Sequence, residues 1–189
     1  MMRIFLPILV ALALAAPAMA ECAKPEALAR FAGKQPFVQT RTLKGMSRPL
    51  KSTGEVEVTK DSAIWRVLTP MAITTRISPA GITQSVDGGP EQPMGPSAGA
   101  NPFLNETGLL DLLKGDLSRM DARYEVAREA RAKPEGWKLN LKPKSAQLSP
   151  YVSAVRVEGC KRVEAIAVDQ ANGDSIRIEL TGAPGGSGG

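Results

Sequence analysis

Gly54-Glu55-Val56-Glu57-Val58-Thr59-Lys60, then Asp61-Ser62, then Ala63-Ile64-Trp65-Arg66-Val67-Leu68-Thr69-Pro70, is the stretch that decides the fold. Val56 and Val58 alternate with Glu55, Glu57 and Thr59, which predicts a strand with one apolar and one charged face. Asp61-Ser62 reads as a tight reversal. Ala63, Trp65 and Val67 then share one face of the next strand, opposite Ile64, Arg66 and Leu68. Pro70 ends it, because proline has no N–H for a ladder. Ile73, Thr75 and Ile77 form a third run, and Ser78-Pro79-Ala80-Gly81 turns into a fourth. The stretch is an antiparallel meander with one apolar face, and the function depends on what that face covers.

Working outward, residues 1–20 read as a cleaved secretory leader: Arg3, an apolar run from Ile4 to Ala16, and the small-x-small site Ala18-Met19-Ala20. The run is short for a membrane span. Cys22 follows Glu21 where a lipid-modified cysteine needs a small residue, so lipidation is rejected. Export places the protein in the periplasm. There the chain's two cysteines, Cys22 and Cys160, are most economically read as a disulfide. Two separate buried thiols are the alternative. The 24 Lys and Arg, Arg3 of the leader among them, face 19 Asp and Glu. So mild and interspersed an excess does not suggest nucleic acid.

Upstream of the meander, residues 25–31 predict a short helix and residues 35–43 a strand with Phe37, Gln39, Arg41 and Leu43 on one face. Downstream, residues 87–102 are rich in Gly and Pro without apolar period, and predict a long surface loop. Residues 105–117 predict a leucine-striped helix (Leu109, Leu110, Leu112, Leu113, Leu117) interrupted at Gly108 and Gly115. Strands then return around Tyr124 and Val126, around Trp137, Leu139 and Leu141, at Val155 and Val157, and over residues 163–168. Asn172-Gly173 is a hairpin turn, and Ile176, Ile178 and Leu180 form the closing strand. One domain over residues 21–182, with a flexible tail at 183–189, is the expected organisation.

Enzymatic chemistry finds little support. The sequence has no histidine, which removes the usual general base and the commonest metal ligand. No nucleophile elbow, Walker loop or dinucleotide fingerprint is present. Glu55 and Glu57 read as a solvated strand face, and Trp65 and Trp137 as buried or cavity-lining rings rather than sugar platforms. No metal and no cofactor is expected.

The order of these elements resembles the LolA-like periplasmic outer-membrane lipoprotein carrier family, in a divergent branch. The resemblance is carried by Phe37-Val38-Gln39, Arg48-Pro49-Leu50 through Gly54, Ile64-Trp65, Thr69-Pro70 and Gly81-Ile82. In the second half it is carried by Leu109 through Leu113, Gly115-Asp116, Trp137 through Pro143, and Asn172-Gly173-Asp174. It implies a mainly β (α+β) fold, an incomplete antiparallel β-barrel wrapped around short lid helices, with an apolar interior that receives acyl chains. The principal carriers latch the lid with an arginine before the tryptophan-bearing strand. Here Val58-Thr59-Lys60-Asp61-Ser62 offers none, and no counterpart of their C-terminal extension follows Leu180.

The expected function is a non-enzymatic, monomeric periplasmic carrier that shields a lipid or lipoprotein acyl chain and delivers it toward the outer membrane. An inner-membrane donor and an outer-membrane acceptor protein would be its partners. A lipid-sensing or regulatory protein-interaction module of the same fold is the alternative. Val56, Val58, Trp65, Val67, Ile73 and Ile77 are assigned to the cavity wall, and Leu109, Leu110, Leu112 and Leu113 to the lid.

Overall fold

A computed structural model describes residues 22–94 and 108–182. The expected leader and tail, and residues 95–102 of the expected 87–102 loop, lie outside the described residues. The described chain forms eleven strands: β1 (Gly33–Thr42), β2 (Leu50–Val58), β3 (Ala63–Thr69), β4 (Ile73–Ser78), β5 (Gly81–Val86), β6 (Gln92–Met94), β7 (Tyr124–Ala132), β8 (Glu135–Pro143), β9 (Val152–Gly159), β10 (Val163–Gln170) and β11 (Ser175–Leu180). Two short helices, α1 (Leu109–Lys114) and α2 (Met120–Arg123), lie between β6 and β7.

All strands join one antiparallel sheet in the order β6-β5-β4-β3-β2-β1-β11-β10-β9-β8-β7. Two meanders, each built by local hairpins, meet where β1 pairs with β11 from Phe37↔Leu180 to Thr42↔Ser175. The Cys22–Cys160 disulfide, closed with a Cα–Cα distance of 4.5 Å, ties the segment before β1 to the turn between β9 and β10. The sheet is not closed into a barrel, since β6 and β7 stand at its two edges. It is strongly curved. Trp65 of β3 and Val155 of β9 are five strand steps apart, about 24 Å on a flat sheet, yet they border the same cavity.

Alternation explains the buried face. Val56 and Val58 of β2, Ala63 of β3, Ile77 of β4, Leu139 and Leu141 of β8, and Val155 and Val157 of β9 all point into one core. Leu112, Leu113, Leu117 and Met120 fill it from the helical segment. Glycine fits two aromatic rings into the sheet. Phe37 lies across from Gly54 in register and stacks on Trp65 with ring centroids 4.0 Å apart. Trp137 lies across from Gly159 and donates its indole N–H to the Cys160 carbonyl at 2.9 Å. A Cβ on Gly159 would sit 2.0 Å from the Arg162 carbonyl oxygen and 2.6 Å from the Trp137 ring.

Three expectations need correction. The helix over 25–31 reduces to a single 3₁₀ turn at Pro25–Ala27, flanked by extended Lys24 and Leu28. Phe31 donates its N–H to the Lys114 carbonyl instead of to a turn of its own, so docking on α1 replaces helix propagation. Residues 92–94 of the expected loop form β6, an edge strand on β5. The helix over 105–117 is one and a half turns long. Gly108 and Gly115, both left-handed at φ 58° and 68°, bound it rather than bend it. α2, a single turn, was not foreseen.

Gly159→Ala forces the ring or the turn to move at a position of ordinary φ. It should lower the urea-unfolding free energy by about 1–3 kcal/mol, as overpacking does, with an unchanged denaturant slope.

Candidate functional site

The curved sheet and α1 enclose a cavity of about 540 Å³. β3 and β4 supply Trp65, Thr75 and Ile77, and β1 supplies Gln39. Leu112 and Leu113 come from α1, and Tyr124 from the start of β7. The opposite wall is Val152 and Val155 of β9, Ile166, Val168 and Gln170 of β10, and Ile176 and Ile178 of β11. Pro150, Tyr151 and Asn172 complete the lining and are exposed, so the cavity opens at the end of the sheet that carries them. No Asp, Glu, Lys or Arg lines it. Burial pushes the Tyr124 phenol up to about 12, so this hydroxyl also stays neutral throughout the physiological range.

The ten expected apolar residues divide by depth. Trp65, Ile77, Leu112 and Leu113 line the cavity. Val56 and Val58, each 2% exposed, are packed in the filled core at the closed end and do not reach it. Val67 and Leu110 pack against the core from outside the lining, and Ile73 is half-buried near the mouth. Only the backbone of Leu109 is described. Sequence reasoning missed most of the second wall. Ile166, Val168, Ile176 and Ile178 carried the same alternation as β3 and could have been found by it. Gln39, Thr75, Gln170 and Asn172 had no apolar signal, and residues 144–151 no period.

At the closed end α1 is tied down by several contacts. Lys114, its last residue, donates from Nζ to the Lys60 carbonyl in the β2–β3 turn. Arg123 Nη1 bonds Asp111 Oδ2 at 3.2 Å. Asp116, just past α1, is 9% exposed. It accepts from Ser118 Oγ at 2.7 Å and pairs with Arg30 Nη2 at 2.7 Å. Glu55 and Glu57 face outward, bridged by Arg66 Nη1 at 3.5 and 2.9 Å, and take no part in the cavity. Among the described residues no cluster of His, Cys, Asp and Glu could hold a metal ion.

The described chain is thus an open antiparallel half-barrel holding an uncharged cavity beside a short helix. The sequence matches the family described as outer membrane lipoprotein carrier protein LolA-like over residues 15–187. The chain belongs to that family. Similar solved structures include a DUF1329 family protein from Desulfovibrio piger (11% identity, 87% of this chain and 89% of that one, TM-score 0.44). A LolA superfamily protein from Nitrosomonas europaea is also similar (10%, 85% and 92%, 0.40). So is a putative outer membrane lipoprotein-sorting protein domain from Vibrio parahaemolyticus (12%, 83% and 87%, 0.39). No protein of curated function matches the sequence.

The Ser118 hydroxyl, with Arg30 adding to it, holds the Asp116 carboxyl below its usual range against the opposing effect of burial. A depressed folded-state value stabilises the fold above the unfolded carboxyl's pKa, about 3.9, and that stabilisation is lost as pH falls through the folded value. Asp116→Asn should therefore lower the urea midpoint at pH 7. Wild type and variant should converge in acid, which a pair of denaturation series at neutral and low pH would read directly.

Proposed function

We propose that this chain is a periplasmic carrier that takes an acyl chain of a lipid or lipoprotein into the half-barrel and carries it, shielded from water, toward the outer membrane. The supporting observation is the uncharged cavity of about 540 Å³ between the sheet and α1, open at one end. Its size falls within the roughly 300–1,000 Å³ of small-molecule sites. At about 30 Å³ per methylene-sized group, the share a water takes in the liquid, it has room on the order of one acyl chain. The chemistry is transfer from water into an apolar wall, with no bond made or broken. Each buried methylene contributes about 0.8 kcal/mol, so eight would supply roughly 6 kcal/mol before the costs of association. Gln39, Thr75, Gln170 and Asn172 offer uncharged hydrogen-bonding groups where the chain joins its head group.

Movement of α1 would widen the way out, because Leu112 and Leu113 form part of the wall. The left-handed glycines at both its ends are the points about which it would swing. Val56, Val58, Val67 and Ile73 act in this reading as the scaffold of the wall. The carrier works as a monomer between an inner-membrane donor and an outer-membrane acceptor.

The test pairs stability with binding. Ile176 lines the cavity and is half-buried, so water can reach a polar group placed there. Ile176→Asn should leave the urea midpoint nearly unchanged and weaken a fluorescent acyl probe on the order of tenfold, the factor given by about 1.4 kcal/mol. Ile176→Trp, which fills the space, should block the probe without loss of stability. A wild type that binds no acyl probe would end the carrier reading. Native mass spectrometry of periplasmic protein should show an acylated species, lipid or lipoprotein, travelling with it, and not an unacylated polypeptide.

A further inference from the structure

Six of the seven large apolar side chains that stand exposed among the described residues gather at one end of the molecule. Met46 lies in the β1–β2 loop and Leu50 opens β2. Leu68 lies near the end of β3 and Met71 in the β3–β4 turn, Val86 ends β5, and Tyr151 precedes β9. The registers place all of these strand ends on the side opposite the disulfide, because Cys160 follows the other end of β9. This is the end where the cavity opens. Leu68 is 61% and Tyr151 65% exposed. Isolated exposed apolar residues need no explanation, but their concentration around one opening does.

The charges at this rim are one-sided. Lys44, Arg48 and Lys51, all exposed, share residues 43–51 with Met46 and Leu50. None of the three takes part in the ion pairs that occupy most arginines of the protein, such as Arg41 with Asp174, Arg66 with Glu57 or Arg156 with Asp169. The nearby acid Asp174 is already engaged. It accepts the Lys44 backbone N–H at 2.9 Å and lies 3.7 Å from Arg41. Asp87 is the opposing exposed acid at the end of β5.

From this arrangement we infer that the mouth of the half-barrel docks on an anionic lipid surface. Met46, Leu50, Leu68 and Met71 enter the head-group layer while Lys44, Arg48 and Lys51 meet lipid phosphates. Apolar tips interleaved with unpaired cations are what an interfacial anchor needs, and each cation near an anionic leaflet strengthens partitioning about fivefold. Docking in this orientation faces the cavity opening toward the bilayer, so an acyl chain passes between membrane and protein without crossing water. It rests on the carrier reading for its purpose, but cargo-free protein suffices to measure it, so the two fail separately.

The experiment is co-sedimentation of the cargo-free mature chain with vesicles of phosphatidylcholine alone and of phosphatidylcholine mixed with phosphatidylglycerol. Wild type should bind the mixed vesicles and release them in high salt. Lys44→Ser/Arg48→Ser/Lys51→Ser should lose on the order of 100-fold, from three contributions of about fivefold. Met46→Ser/Leu50→Ser should also weaken binding. Thermal unfolding of both should match wild type, since every substituted side chain is exposed. A control at the closed end, Lys133→Ser/Lys161→Ser, removes two exposed cations and should keep its binding. Equal losses in the rim and control variants would reduce the effect to net charge and overturn the inference. Absence of binding to either vesicle would also overturn it and leave the rim as a contact surface for a protein.

Discussion

The pairing of β1 with β11 is the constraint on which the rest of the structure depends. Each half of the sheet is a meander that forms by local hairpins, but neither half has an enclosed interior of its own. Six registered pairs along this seam, with Thr181 N–H continuing onto the Pro36 carbonyl, turn two shallow sheets into one deep curve. The Lys44 N–H bonded to the Asp174 carboxylate holds one end of the seam, while the disulfide ties the segment before β1 to the β9–β10 turn at the opposite end of the molecule. Loss of register there would rotate Phe37, Gln39, Ile176 and Ile178 out of the interior together, because strand side chains alternate with period two.

The curve is filled unevenly. At the disulfide end, Phe37, Val56, Val58, Ala63 and, from α1, Leu112 and Leu113 pack to near-complete burial. Toward the opposite end the inward positions become Gln39, Thr75 and Gln170, and the helix no longer covers them. A sheet of this size has more apolar concave face than two helices of six and four residues can cover. What remains uncovered is the cavity. No charged side chain lines the cavity; on the convex face Arg66 joins β3 to Glu57 of β2, and Arg177 reaches across β10 to Glu158 of β9.

Much of this was legible in the sequence because strand alternation, Pro70 and Asn172-Gly173 are local signals, and two cysteines allow a single pairing. Trp65 and Ile77 could be placed on the concave face from their neighbours alone. Depth along a strand could not. Val56 and Trp65 are paired directly across β2 and β3, yet one is core and the other wall. The difference is set by Phe37 and by α1, residues distant in sequence. The helix expected at residues 25–31 failed for the same kind of reason, since its backbone is claimed by Lys114. Tyr151 and Pro150 reach the mouth from a segment with no period, and only the docking of that segment gives them a place.

The open sheet leaves two strands without a neighbour on one side, and both differ from the interior strands. β6 is three residues long with Pro93 at its centre, so its outer margin lacks a donor where another strand would need one. β7 carries Glu125, Arg128, Glu129 and Arg131 along its length, and Arg128 is held by Glu26 and Asp121. Short, proline-bearing or charged margins resist edge-to-edge addition of further chains. A closed barrel would need neither device. The fold can therefore stay permanently unfinished without polymerising into ribbons, and it is the blunted margins that make an open container compatible with life at high concentration.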